Sequence, residues 1–132
     1  MRFTKVLREY VEEELTKKRR EADANDPQTL AYQARRDEAI AYIEGIVREA
    51  NKQALEILSD YDLEFSERKY GYHELISFHD GYIINQKEND ARREREKERY
   101  DKQKKAIQEI EVNCTLGADR EEFMKMLADV SF

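Results

Sequence analysis

A chain of 132 residues, 41% charged and 39% hydrophobic even with tyrosine counted, has room for one domain built on a thin core. Acidic and basic residues interleave closely and leave a net charge of only -6, which opposes the disorder that such polarity otherwise suggests. No apolar run approaches the ~20 residues needed to span a bilayer, and Met1-Arg2-Phe3-Thr4-Lys5 lacks the apolar stretch of a secretion signal. Cys114 is the single cysteine, so no internal disulfide and no cysteine-based zinc site can form, and a reducing, cytoplasmic setting is expected.

The first segment, Phe3 to about Ala24, reads as a helix. Phe3, Val6, Leu7, Tyr10, Val11 and Leu15 recur at three- and four-residue intervals and share one face. Glu12 to Glu14 precede Lys17 to Arg20, an order that favours pairs such as Glu13–Lys17. Asn25-Asp26-Pro27 then supplies a turn residue, a capping aspartate and a proline suited to the first position of a new helix.

That second helix should run from Asp26 as cap to about Asp60. Ile40, Ile43, Val47, Ala50, Ala54, Ile57 and Tyr61 follow the 3-4 spacing of a coiled-coil seam, and Ala39, Ile46 and Leu58 widen the stripe. At 1.5 Å per residue the helix would be about 50 Å long, beyond the ~36 Å diameter of a compact chain of this size. A single elongated domain over residues 1–132 is the expectation.

Aromatics and glycines concentrate between Tyr61 and Ile84. Asp80-Gly81 between Glu74–His79 and Tyr82–Ile84 favours a type I′ hairpin. Tyr72, Leu75, Ile76, His79, Tyr82 and Ile83 fit helical spacing as well, and periodicity does not arbitrate over so short a run. A small β-hairpin or irregular head near 62–86 is slightly favoured.

Helix should resume from Asn85 to Asn113, capped near Asn89 or Asp90. Its first half has almost no apolar side. Tyr100, Gln103, Ile107, Ile110 and Cys114 then restore a 3-4 seam that can pack antiparallel on the second helix. Cys114 is read as a small core residue. Asp119 with Glu122 resembles a capping box for a short last helix carrying Phe123, Met126, Leu127 and Val130. The fold class predicted is mainly α: a long, coiled-coil-like helical hairpin with short N- and C-terminal helices.

Catalytic chemistry finds little support. His73-Glu74 has part of a zincin pattern, but the next histidine, His79, comes six residues on, where neither helix nor strand lets the two converge on one metal. No serine sits in a Gly-x-Ser-x-Gly elbow and no glycine-rich loop precedes Lys-Ser or Lys-Thr. The expectation is therefore no enzyme, metal, cofactor or small-molecule substrate.

Binding remains. The last helix, through Phe123, Met126, Leu127 and Val130, has the usual docking face, unless it folds back on its own chain. Tyr70, Tyr72, Phe78 and Tyr82 are the residue types that concentrate interface energy, unless they form a local core. Arg92, Arg93, Arg95, Arg99 and Lys102 form a basic run that could touch nucleic acid, but Glu94, Glu96, Glu98 and Asp101 interrupt it and the pI near 5.1 disfavours phosphate attraction. The leading expectation is a non-enzymatic protein-binding module that self-associates or clamps a protein partner. One narrower version is a small inhibitor or regulator of phage or mobile-element type, and the alternative is a nucleic-acid-associated adaptor using residues 92–105.

Overall fold

The computed structural model describes residues 1–66 and 74–132. Within them are four α-helices, α1 (Lys5–Ala24), α2 (Pro27–Asp60), α3 (Gln86–Thr115) and α4 (Arg120–Asp129), one 3-10 turn (Asp80–Tyr82) and no strand. The mainly helical reading holds. Residues 1–30 with 86–132 form one compact unit and residues 31–85 a second, so that α2 begins in the first and continues through the second.

The first unit is built on a ladder of four-residue spacing. Leu7, Val11 and Leu15 lie one above the other on α1, with Val11 and Leu15 wholly buried, and Phe3, just ahead of the helix, packs against the same cluster. They pack with Ile107, Ile110 and Cys114 of α3 and with Phe123 and Leu127 of α4. Partners on α3 fall in number as those on α1 rise, from the Arg8–Glu111 ion pair at 2.6 Å to the Gln103–Thr16 hydrogen bond at 3.0 Å, so the two helices are antiparallel. The α3 seam is thus closed by α1 and α4, whereas its spacing had suggested α2. Periodicity reveals that a face is buried, not what buries it.

Helix ends follow local chemistry. Thr4 caps α1 through the Leu7 N–H, and Asp119 caps α4 through the Glu122 N–H at 2.9 Å. Between α3 and α4, Gly117 adopts a left-handed φ of 108°. The N–H groups of Gly117 and Ala118 return to the carbonyls of Cys114 and Asn113, a Schellman closure. Lys18 of α1 closes the other end of α4, donating to the carbonyls of Leu127, Ala128 and Val130 at 3.0, 3.2 and 3.1 Å. α3 itself starts at Gln86, ahead of the expected caps at Asn89 or Asp90.

In the second unit, the Ile40–Val47 part of the α2 seam is flanked on both sides by polar side chains. Tyr32 and Arg36 precede Ile40, Ile43 and Val47 on the same side of the helix, and Asn51 follows them. Residues 74–85 pass along this side as a single strap. Asn51 pairs with the backbone of Ile76, Arg36 donates to the carbonyls of Asp80 and Ile83, and the Tyr32 hydroxyl accepts the Asn85 N–H. Partners on α2 again fall as strap numbers rise, so the strap runs antiparallel to the helix. The small β-hairpin that the sequence offered beside an irregular head near 62–86 is absent among the described residues. Gly81 is not in the left-handed conformation that a type I′ turn requires, and Asp80–Tyr82 instead makes a 3-10 turn.

Candidate interaction surface

The residues singled out from sequence fall into three groups. On α4, Phe123 and Leu127 are 2% and 6% exposed and belong to the core of the first unit, while Met126 and Val130 are half-buried against it. That helix is docked on its own chain. Met126 and Val130 do edge an open groove of about 420 Å³ between α3 and α4, floored by Ala106 and Ile110 and flanked by Lys102 and Asp129. Of the aromatics, Phe78 is half-buried, Tyr82 is 87% exposed, and Tyr70 and Tyr72 lie outside the described residues, as does His73.

The basic run is split by its partners. Arg95 and Arg99 turn inward onto the end of α1 and the start of α2. Asp26 Oδ1 accepts the N–H groups of Gln28 and Thr29, both at 3.0 Å, as the N-cap of α2. Its Oδ2 accepts Arg95 Nε at 3.0 Å and Arg99 Nη2, and Arg99 Nη1 also donates to Asp23 at 3.0 Å. Arg95 adds a hydrogen bond to the Thr29 hydroxyl. Burial of Asp26 at 2% exposure opposes its charge, yet the hydrogen bonds from Arg99, the Thr29 N–H and Arg95 outweigh that and hold the carboxyl far below the usual carboxylate range. Asp26 correspondingly raises the Arg99 pKa. Arg92 pairs along its own helix with Glu96, Arg93 is exposed, and Lys102 lies over the Phe132 ring.

Two other reactive types are placed plainly. Cys114 is buried in the core, and desolvation pushes its thiol pKa up, away from the thiolate. Among the described residues no three His, Cys, Asp or Glu side chains are grouped so as to hold a metal ion, and no helix is long and apolar enough to cross a membrane.

A further exposed surface lies on α2, in part on residues that the sequence grouped with its seam. Tyr42, Ile46 and Ile57 are 70%, 69% and 58% exposed. Intervals of four and eleven residues place them within about 60° of one another around the helix, on a side distinct from the one that carries Ile40 and Asn51. Ala39 shares this stripe and is also exposed. The signal was present in the spacing, but Ile46 and Ile57 merge in sequence with the seam that the strap covers, and only the position of the strap separates the two. Tyr61 and Leu63, 75% and 60% exposed, extend the apolar surface past the end of α2.

No protein-family model, curated protein or solved structure matches this chain.

Proposed function

We propose that this chain is a non-enzymatic protein-binding module that meets its partner, or another copy of itself, through the exposed stripe of α2. The observation that carries this reading is the alignment of Tyr42, Ile46 and Ile57 on one uncovered helical side. Covering each isoleucine would contribute about 1.5 kcal/mol, at the low end for a buried aliphatic side chain because each is already partly shielded. Aligned apolar side chains on one helix side are the form in which helices present anchors to a partner.

The adaptor reading loses support where Arg95 and Arg99 commit their donors to Asp23 and Asp26. Arg92, Arg93 and Lys102 remain for phosphate, among interleaved acids. The finer version, a small inhibitor or regulator of the kind carried by phages and mobile elements in the cytoplasm, rests on the type of chain alone: short, acidic, with one buried thiol and no catalytic motif.

Light scattering over a wide concentration range, with affinity capture from the source cell, tests the reading. A mass that rises with concentration, or a protein retained by the native chain and lost by Ile46→Asp/Ile57→Asp, supports it. A constant monomer whose captured proteins are the same with both chains overturns it. A shifted oligonucleotide band at low salt that Arg92→Gln/Arg93→Gln abolishes would favour the adaptor instead.

A further inference from the structure

We infer that the exposed stripe of α2 receives a basic amphipathic segment of another protein, and not a second copy of this chain; the inference rests on the binding-module reading and adds the chemistry of the partner. Each apolar residue of the stripe has a carboxylate three or four positions away, which on a helix is an adjacent place on the surface. Glu38 precedes Tyr42 by four, Glu49 follows Ile46 by three, and Asp60 follows Ile57 by three. All three acids are exposed, and none has a cation within ion-pair distance among the described residues. A line of open carboxylates therefore borders a line of open apolar side chains along about four helical turns.

The charge of the surrounding unit points the same way. Residues 31–85 hold six Lys and Arg against eleven Asp and Glu, a net of -5, whereas the rest of the chain, with eighteen against nineteen, is almost neutral. Nearly the whole acidic surplus is thus carried by the unit that bears the stripe. A ligand with an apolar side and Lys or Arg beside it would bury the first and neutralise the second, the arrangement that electrostatic complementarity favours.

Self-pairing fits poorly. Glu49 falls at the middle of the Tyr42–Ile57 stripe, so a two-fold pairing of these faces, parallel or antiparallel, brings Glu49 close to its copy. It also brings together two units that each carry -5. Like charges so placed oppose association. Nucleic acid and anionic membrane surfaces are disfavoured at this face for the same reason.

The test uses the full chain and two fluorescent helical peptides of about 18 residues, five turns, with leucines along one side and either lysines or glutamates around the other. Anisotropy should give binding of the Leu/Lys peptide at least about tenfold tighter than that of the Leu/Glu peptide, weakening with added salt. Ile46→Ser/Ile57→Ser should reduce the affinity about tenfold or more with an unchanged helical circular dichroism spectrum, since both side chains are exposed. Glu49→Gln/Asp60→Gln should weaken binding and flatten the salt dependence. Equal binding of both peptides that still depends on Ile46 and Ile57 overturns the choice of a basic partner while leaving the binding-module reading in place. Binding that ignores the isoleucine substitutions overturns the site. Neither peptide binding, with a mass that rises with concentration and falls back in the isoleucine variant, assigns the face to a second copy. Neither peptide binding and a constant mass overturns both readings.

Discussion

Asn51 pairs with Ile76 as one strand residue pairs with another. Its Oδ1 accepts the Ile76 N–H at 2.7 Å and its Nδ2 donates to the Ile76 carbonyl at 2.8 Å, while also reaching the Val47 carbonyl at 3.1 Å. A side-chain amide thereby supplies the donor and acceptor that a neighbouring strand would have supplied. Asn51 is 8% exposed, so solvent replaces these bonds poorly.

Asn51→Asp should therefore release the strap. The carboxylate keeps the acceptor, loses the donor, and faces two carbonyl oxygens at close range. The expected cost is about 1–3 kcal/mol. Hydrogen exchange at Ile76 and proteolysis within residues 74–85 should accelerate by about tenfold or more, since each 1.4 kcal/mol is a factor of ten for a locally opening segment. Exchange at Val11 and Ile110, in the core of the other unit, should change far less.

Asp26 makes an acid-sensitive clamp where α1 hands over to α2. Asp26→Asn keeps an oxygen for the N-cap but leaves Arg95 and Arg99 facing a neutral group, and removing one member of a buried ion pair costs about 3–5 kcal/mol. The pH dependence has a definite sign. The folded carboxyl titrates below its unfolded value, so its stabilisation is complete above the ordinary carboxylate pKa of about 3.9 and is lost as pH falls beneath it. Urea unfolding at pH 7 and at successively lower pH should show the native chain losing its advantage over Asp26→Asn only on the acid side.

Lys18 should be worth more than a surface lysine. Its ammonium closes three carbonyls at the end of α4, and the helix it holds carries Phe123 and Leu127 into the core. Lys18→Met keeps the aliphatic stem and removes the donors. The expected loss is about 1–2 kcal/mol, a shift of several degrees in thermal midpoint for a chain of this size. Carboxypeptidase should also trim the chain past Val130 faster in the variant. Lys17→Met is the control, because Lys17 makes only a 3.5 Å contact to Glu14 and is largely exposed.

What could be read from the sequence was local. Asp26 before Pro27 and Asp119 before Glu122 mark helix ends because a cap and the groups it satisfies lie within a few residues of each other. The start of α2 at Pro27 follows from that alone. The strap was not legible, because its hydrogen bonds come from Asn51, Arg36 and Tyr32, side chains 25 to 53 residues away. Nor was the division of the basic run, since Arg95 and Arg99 look like their neighbours until Asp26, 69 and 73 residues earlier, is seen to face them. Phe123 and Leu127 read equally well as docking face or as core, because helical spacing is the same for both.

The end of α2 offers a stabilising substitution. The N–H groups of Asp62 and Leu63 return to the carbonyls of Ser59 and Leu58, at 3.1 and 2.8 Å, which closes the helix in a Schellman motif. That motif needs a left-handed residue, and Asp62 supplies it with a φ of 55°. Glycine occupies such a position without steric cost, whereas a residue with a Cβ is strained there. Asp62 also sets a negative charge beside the negative end of the helix dipole. Both effects predict that Asp62→Gly gains about 0.5–1 kcal/mol despite the greater freedom of glycine in the unfolded chain. Asp62→Val, β-branched and more crowded at positive φ, should lose stability by about 1 kcal/mol or more. The urea midpoint should accordingly rise for glycine and fall for valine, and a fall for both would mean that the closure tolerates aspartate without strain.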